Sequence, residues 1–161
     1  MSNRTDIVLY ATDTMADWEY AYITTQIAEA ALTRPGHRRL VIAGDGTDSV
    51  RSMGGLPLTP DIDLSDVTAE TSACLVIPGA ATYESGHEKL LATVRRLLAA
   101  DVPVAAICGA TFALARAGLF DERRHTSNAP VFLQMSGYAG GELYADAPVV
   151  TDGGITTASG T

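Results

Sequence analysis

Short apolar runs punctuate the chain at residues 7–11, 40–44, 73–77 and 102–107, bounded by polar or turn-forming residues. Runs of that length and composition predict buried strands. Between them the spacing changes. Glu19, Ile23, Ile27 and Ala30 recur at i, i+4, i+8 and i+11, one stripe of a helix running to about Thr33, where Pro35-Gly36 stops it. Thr14-Met15-Ala16-Asp17 resembles a capping box at the start of that helix. Leu90, Leu91, Val94, Leu97 and Leu98 mark a second helix, and the Ala-rich segment after Cys108 a third that ends near Gly118.

The remaining segments are shorter. The polar stretch with Gly54-Gly55 and Pro57 predicts a hairpin or short β arm. His125-Thr126-Ser127 reads as a short strand, with Asn128 and Pro130 opening a short helix. Val149-Val150-Thr151 and Ile155-Thr156-Thr157-Ala158 flank Asp152-Gly153-Gly154, a hairpin signal. Ser159-Gly160-Thr161 reads as a turn leading toward a further helix, so a missing terminal helix, or a partner in its place, is expected. The alternation predicts one α/β domain over residues 1–161, a mostly parallel sheet covered on both faces. Ligands on such sheets bind beyond the carboxyl ends of the strands. Cys108, the Gly79 loop and the start of the first helix all fall there.

Composition narrows the class. The chain of 161 residues is 47% hydrophobic and 19% charged, with a formal net charge of −8. That charge argues against a nucleic-acid or anionic-membrane partner. No apolar run approaches membrane-spanning length, and the N-terminus lacks the layout of a signal peptide. The two cysteines, Cys74 and Cys108, make no disulfide framework, so a reducing cytoplasm is the expected location. Neither metal-ligand spacing nor a phosphate-cradling glycine pattern is present, and no metal or cofactor is expected.

Cys108 carries the most chemistry. It joins Val102-Pro103-Val104-Ala105-Ala106-Ile107 to Gly109-Ala110-Thr111-Phe112-Ala113, a predicted strand to a predicted helix. At such a junction the free N–H groups of the first helical turn favour thiolate, the reactive form. Small neighbours permit the sharp turn that lifts a nucleophile clear of its sheet. The other reading is a small buried hydrophobe at a βα junction. Glu19 also has two readings. As the one polar member of its stripe it would face the core, hold its proton when poorly hydrated, and hydrogen-bond a neighbouring sulfur. As a first-turn acid it would face water and complement the helix dipole.

Ala106-Ile107-Cys108-Gly109-Ala110 resembles the nucleophile elbow of the ThiJ/PfpI superfamily, and Met15-Ala16-Asp17-Trp18-Glu19 its acid-bearing helix. Ile77-Pro78-Gly79-Ala80 resembles its oxyanion loop. The segments 118–128 and 151–161 resemble the stretch after the elbow helix and the terminal hairpin. The resemblance is to the glutamine amidotransferase-like branch. It implies a flavodoxin-like three-layer sandwich, Cys108 as nucleophile, Glu19 as its acid partner, and N–H groups of Gly79, Ala80 and Gly109 as oxyanion donors. It also implies a homodimer.

Departures qualify the activity. Protease members carry a histidine directly after the cysteine and isonitrile hydratases a threonine; here that position is Gly109. Other members carry a histidine before the proline of the 126–130 segment, where this chain has Ala129. His125, four positions earlier, is the best histidine candidate for a base. Cys74 reads as core packing, His37 as solvated, and His87 as a helix-start residue at the edge of the crevice. Trp18 and Tyr83 read as pocket wall or packing, Tyr138 and Tyr144 as lid or subunit contact. Three functions follow from the resemblance. The first is a cysteine-nucleophile hydrolase or hydratase of a small carbonyl or amide. The second is a redox-sensing or stress-protective dimer built on an oxidisable Cys108. The third is a small-molecule binding module with a relic site.

Overall fold

The computed structural model describes residues 4–160; Thr161, the end of the expected terminal turn, lies outside them. The chain runs β1 (Asp6–Ala11), α1 (Asp17–Thr33), β2 (Arg39–Gly44), β3 (Val50–Arg51), β4 (Pro57–Leu58) and β5 (Ile62–Asp63). It continues through β6 (Ser72–Ile77), α2 (Glu88–Ala99), β7 (Val104–Ile107) and α3 (Ala110–Arg116). A short α4 (Pro130–Gln134) and the hairpin β8 (Val149–Asp152) and β9 (Ile155–Ala158) complete it. The main sheet has the order β5-β2-β1-β6-β7-β9-β8. Every pair in it is parallel except β8 with β9. The expected arm is the antiparallel β3–β4 ribbon. Two-residue β5 gives no periodicity to read and was not expected.

Strand alternation divides the core. Val8, Tyr10, Leu75, Ile77, Val104, Ala106 and Ile155 face α2 and α3, whose Leu90, Val94, Leu97, Ala113 and Leu114 complete the larger cluster. Leu9, Ala11 and Val76 pack with Met15 and Tyr20 on the opposite side, where Ile23 of α1 joins them. Helices thus cover both faces, as expected, α2 and α3 on one and α1 on the other. On the α1 side Cys74, Ala105, Ile107 and Ala158 are half-buried.

Two local expectations are corrected. The helix start is not a capping box: the N-cap of α1 is Ala16, with no side-chain cap. Thr14 instead adopts φ +62°, and its hydroxyl accepts the Ala81 N–H at 2.9 Å. Asp17, free of the cap, accepts the Gly54 N–H at 2.7 Å and ties the β3–β4 ribbon to α1. The segment 125–127 is not a strand but a single bridge from His125 to Tyr144.

Chain order places the site. From β1 the sheet grows one way to β2 and the other way to β6, so the loops after β1 and β6 diverge at a topological switch point. Strands β7 and β9 follow β6, and their carboxyl ends add Cys108 and the 159–160 segment to the same edge. Among the described residues no helix is long and apolar enough to cross a membrane, and no group of three His, Cys, Asp or Glu side chains is placed to hold a metal ion.

Candidate active site

Cys108 stands between β7 and α3 with φ +52°, a left-handed conformation that costs a non-glycine residue about 1–3 kcal/mol. Its own backbone is fixed on both sides. The N–H donates to Ala158 O at 3.0 Å, and the C=O accepts from Thr111 N at 3.1 Å and Thr111 Oγ1 at 2.5 Å. This is the sharp strand-to-helix turn the sequence predicts.

Glu19 reaches it from the first turn of α1. Oε2 accepts the Gly79 N–H at 2.5 Å. Oε1 is buried without a hydrogen-bond partner among the described residues. The carboxyl and the thiol converge on Gly79: a Cβ there would lie 3.0 Å from Cys108 Cβ and 3.0 and 3.1 Å from the two Glu19 oxygens. A side chain at this position would crowd both groups, so glycine lets the acid and the cysteine lie together against the loop. The structure therefore brings Glu19 and Cys108 together with the inward-facing reading of the α1 stripe.

The 78–81 loop is held almost atom by atom. Pro78 O accepts from Tyr83 Oη at 2.8 Å, Gly79 O from Ala16 N at 2.8 Å, and Ala81 N donates to Thr14. One expectation falls here. Gly79 cannot serve as an oxyanion donor, because its N–H is spent on Glu19. Ala80 N–H has no acceptor among the described residues, and Gly109 N–H points to the Cys108 sulfur. A Cβ on Gly109 would lie 3.2 Å from Ala80 N and 2.8 Å from Ala80 O, so these two donors are adjacent. They are the two of the three expected oxyanion donors that the structure leaves side by side.

Asn128 completes the sulfur's surroundings and was not singled out from the sequence. Its Nδ2 donates to Cys108 Sγ at 3.1 Å, and its Oδ1 accepts the Gly160 N–H at 2.7 Å. That second bond fixes which end of the amide faces the sulfur. Asn128 thus does not cap α4, whose N-cap is Ala129 without a side-chain bond. The signal was available only through topology: pairing of β9 beside β7 brings Gly160 next to Cys108.

His125 is not brought to the thiol. It is fully buried and stacked on Phe120 at 4.8 Å and 8°. Its Nδ1 pairs with Arg123 O at 2.8 Å and its Nε2 with Tyr138 Oη at 3.0 Å. Both nitrogens are occupied, so no lone pair is left for a base. Tyr138 and Tyr144 pack edge-on against this ring, and Tyr144 Oη donates to Ser127 O at 3.0 Å. Together they brace the segment that delivers Asn128. His87 is likewise engaged, by Tyr10 Oη at 2.9 Å and by Thr82.

Electrostatics also depart from expectation. Burial pushes the Cys108 thiol above its ordinary pKa; Asn128 and the Gly109 N–H pull it down, and the Glu19 carboxylate pushes it up. Burial and the neighbouring carboxylate thus work against the thiolate that the junction alone would favour. Cys74, half-buried in β6, is pushed up by burial alone.

A cleft of about 210 Å³ opens over Ala80 and Gly109. The larger cavity, about 520 Å³, lies at the amino ends of β1, β2 and β6, away from the sulfur. Its Asp6–Arg39 pair, at 2.6 Å, ties β1 to β2.

The DJ-1/PfpI family model matches residues 5–161. The chain is 33% identical over 159 residues to the uncharacterized protease YoaZ of Bacillus subtilis, covering 96% of this chain and 76% of that one. It resembles the crystal structure of a thiJ/pfpI family protein from Bacillus anthracis with a TM-score of 0.87 and 36% identity, over 98% of this chain and 76% of the other. A DJ-1 superfamily protein from Agrobacterium tumefaciens is similar at 0.82 and 34%, over 96% and 81%.

Proposed function

The chain belongs to the DJ-1/PfpI family, and we propose that it is a cysteine-dependent hydrolase or hydratase of a small carbonyl or amide compound. The observation that carries this reading is the buried Glu19 Oε1, without a hydrogen-bond partner among the described residues, next to Cys108 in a strained elbow. In this reading Glu19 is the base. As Sγ bonds the carbonyl carbon, the thiol proton passes to Oε1 and the C=O electron pair moves to oxygen, where the Ala80 and Gly109 N–H groups receive it. For an amide, collapse breaks the C–N bond and Glu19 returns the proton to the departing amine. Water then attacks the thioester, giving its proton to Glu19, and the thiol leaves with that proton.

Relatives carry the name protease, but a cleft of about 210 Å³ supports a small molecule over a polypeptide segment. The test is Glu19→Gln. Removal of the carboxylate relieves its upward push on the thiol, so alkylation of Cys108 shifts to lower pH while turnover falls by about 10²–10⁴-fold. Retained turnover would refute Glu19 as base.

The lack of any histidine at the sulfur favours a second reading, an oxidisable sensor whose sulfinate is held by Asn128 and by Glu19 in its protonated form. It ranks second because burial favours the slow-reacting thiol. Exposed Trp18, Tyr22 and Leu32 on α1 support the homodimer that the resemblance implies, which sedimentation as a function of concentration tests.

A further inference from the structure

The cleft over the oxyanion donors has a definite chemical character. Its lining includes Ala80, whose N–H has no acceptor among the described residues, and Gly109, whose N–H faces the Cys108 sulfur. One wall is Phe112 and Phe132, with ring centroids 5.3 Å apart at 49°. Tyr83 closes another side. It is 2% exposed and its hydroxyl is spent on Pro78 O, so it offers the cleft ring carbon only. Met135, 72% exposed, hangs at the mouth, a flexible side chain that adapts to what enters.

Charge is one-sided. No lysine, arginine or histidine lines the cleft, and its single carboxylate is the exposed Glu84 at the rim. Glu19 does not line the cleft but lies next to it, holding the Gly79 N–H. A carboxylate brought into the cleft would meet two acids and no compensating cation. Size points the same way. A dry apolar cavity of about 150 Å³ is enough to hold benzene, so about 210 Å³ has room for one ring with its attached carbonyl.

Resting on the assignment of Cys108 as the nucleophile, we infer that the substrate of this site carries a compact, uncharged aromatic group next to its reacting carbonyl and no carboxylate. The ring lies against the Phe112–Phe132 wall in the offset or edge-on geometry that aromatic pairs prefer, and the carbonyl oxygen points to Ala80 and Gly109. Glu84 repels anions at the entrance.

The experiment uses the full chain with Cys108→Ser, so that binding is read without reaction at sulfur. Benzamide and benzoate are titrated in parallel by ligand-observed saturation-transfer NMR. Benzamide is expected to bind saturably, with benzoate at least about tenfold weaker. Phe132→Ala should weaken benzamide by about tenfold, and Glu84→Gln should narrow the gap between the two ligands. Equal binding of both ligands, no saturable benzamide signal, or benzamide binding indifferent to Phe132→Ala would each overturn the inference. None of these results bears on whether Cys108 is a nucleophile, which its alkylation in the wild-type chain reads separately.

Discussion

Removing the amide of Asn128 should raise the pKa of Cys108 by about one unit. The structure gives the sulfur one side-chain N–H donor, Nδ2 at 3.1 Å. Hydrogen bonds to charged groups contribute about 1.5–3 kcal/mol. Asn128 is exposed, so water partly replaces it and the lower end applies. At about 1.4 kcal/mol per unit, losing about 1.5 kcal/mol of thiolate stabilisation lifts the pKa by about one. Asn128→Ala tests this without disturbing the segment's backbone, which is pinned upstream by Thr126 N to Thr157 Oγ1 at 2.8 Å and by Tyr144 Oη to Ser127 O. Asn128→Asp should raise it further, because a carboxylate then faces the sulfur. The assay is the pH dependence of iodoacetamide alkylation at Cys108, read by peptide mass spectrometry with Cys74 as internal control. Below both pKa values the rate should fall about three- to tenfold, the higher nucleophilicity of the more basic thiolate offsetting part of the loss. An unchanged profile in Asn128→Ala would refute the argument that this N–H stabilises the thiolate.

Gly109→Ala places a Cβ 2.8 Å from Ala80 O, forcing the two oxyanion donors apart. Turnover should fall by about 10²-fold or more with the circular dichroism spectrum intact, and wild-type turnover would count against the donor pair. His125→Ala removes a fully buried, stacked ring with both nitrogens bonded, a loss of about 2–4 kcal/mol. The thermal midpoint should drop by about 5–15 °C. The pH–rate profile of the surviving folded protein should keep its limbs, and loss of one would make His125 the base after all.

Much of this fold was legible because its signals are local. The runs at 7–11, 40–44, 73–77 and 102–107 became β1, β2, β6 and β7, since a buried parallel strand must be continuously apolar. The Leu90–Leu98 stripe became α2, and the turn at Asp152-Gly153-Gly154 became the β8–β9 hairpin. Cys108 at its junction and Glu19 on its inward stripe came from the same kind of reading. What failed was tertiary. Thr14 looked like a cap but is drawn off to the Ala81 N–H, a partner 67 positions away. Gly79 looked like a free donor until Glu19 occupied its N–H. His125 and Asn128 are close in sequence, yet the turn between them buries one against Phe120 and presents the other to the sulfur. Which of two such neighbours faces a site depends on packing across the sheet edge, which spacing along a chain does not encode.

The central claim is that Cys108 attacks carbonyl carbon and Glu19 carries the proton. Its most direct test is to mix the protein with 4-nitrophenyl acetate, quench in acid within the first turnover, and map acetyl groups by peptide mass spectrometry. One acetyl group is expected on Cys108, absent in Cys108→Ser and slow to form in Glu19→Gln. Acetylation confined to Lys89, the one lysine of the sequence, or shared equally by Cys74 and Cys108, would contradict it.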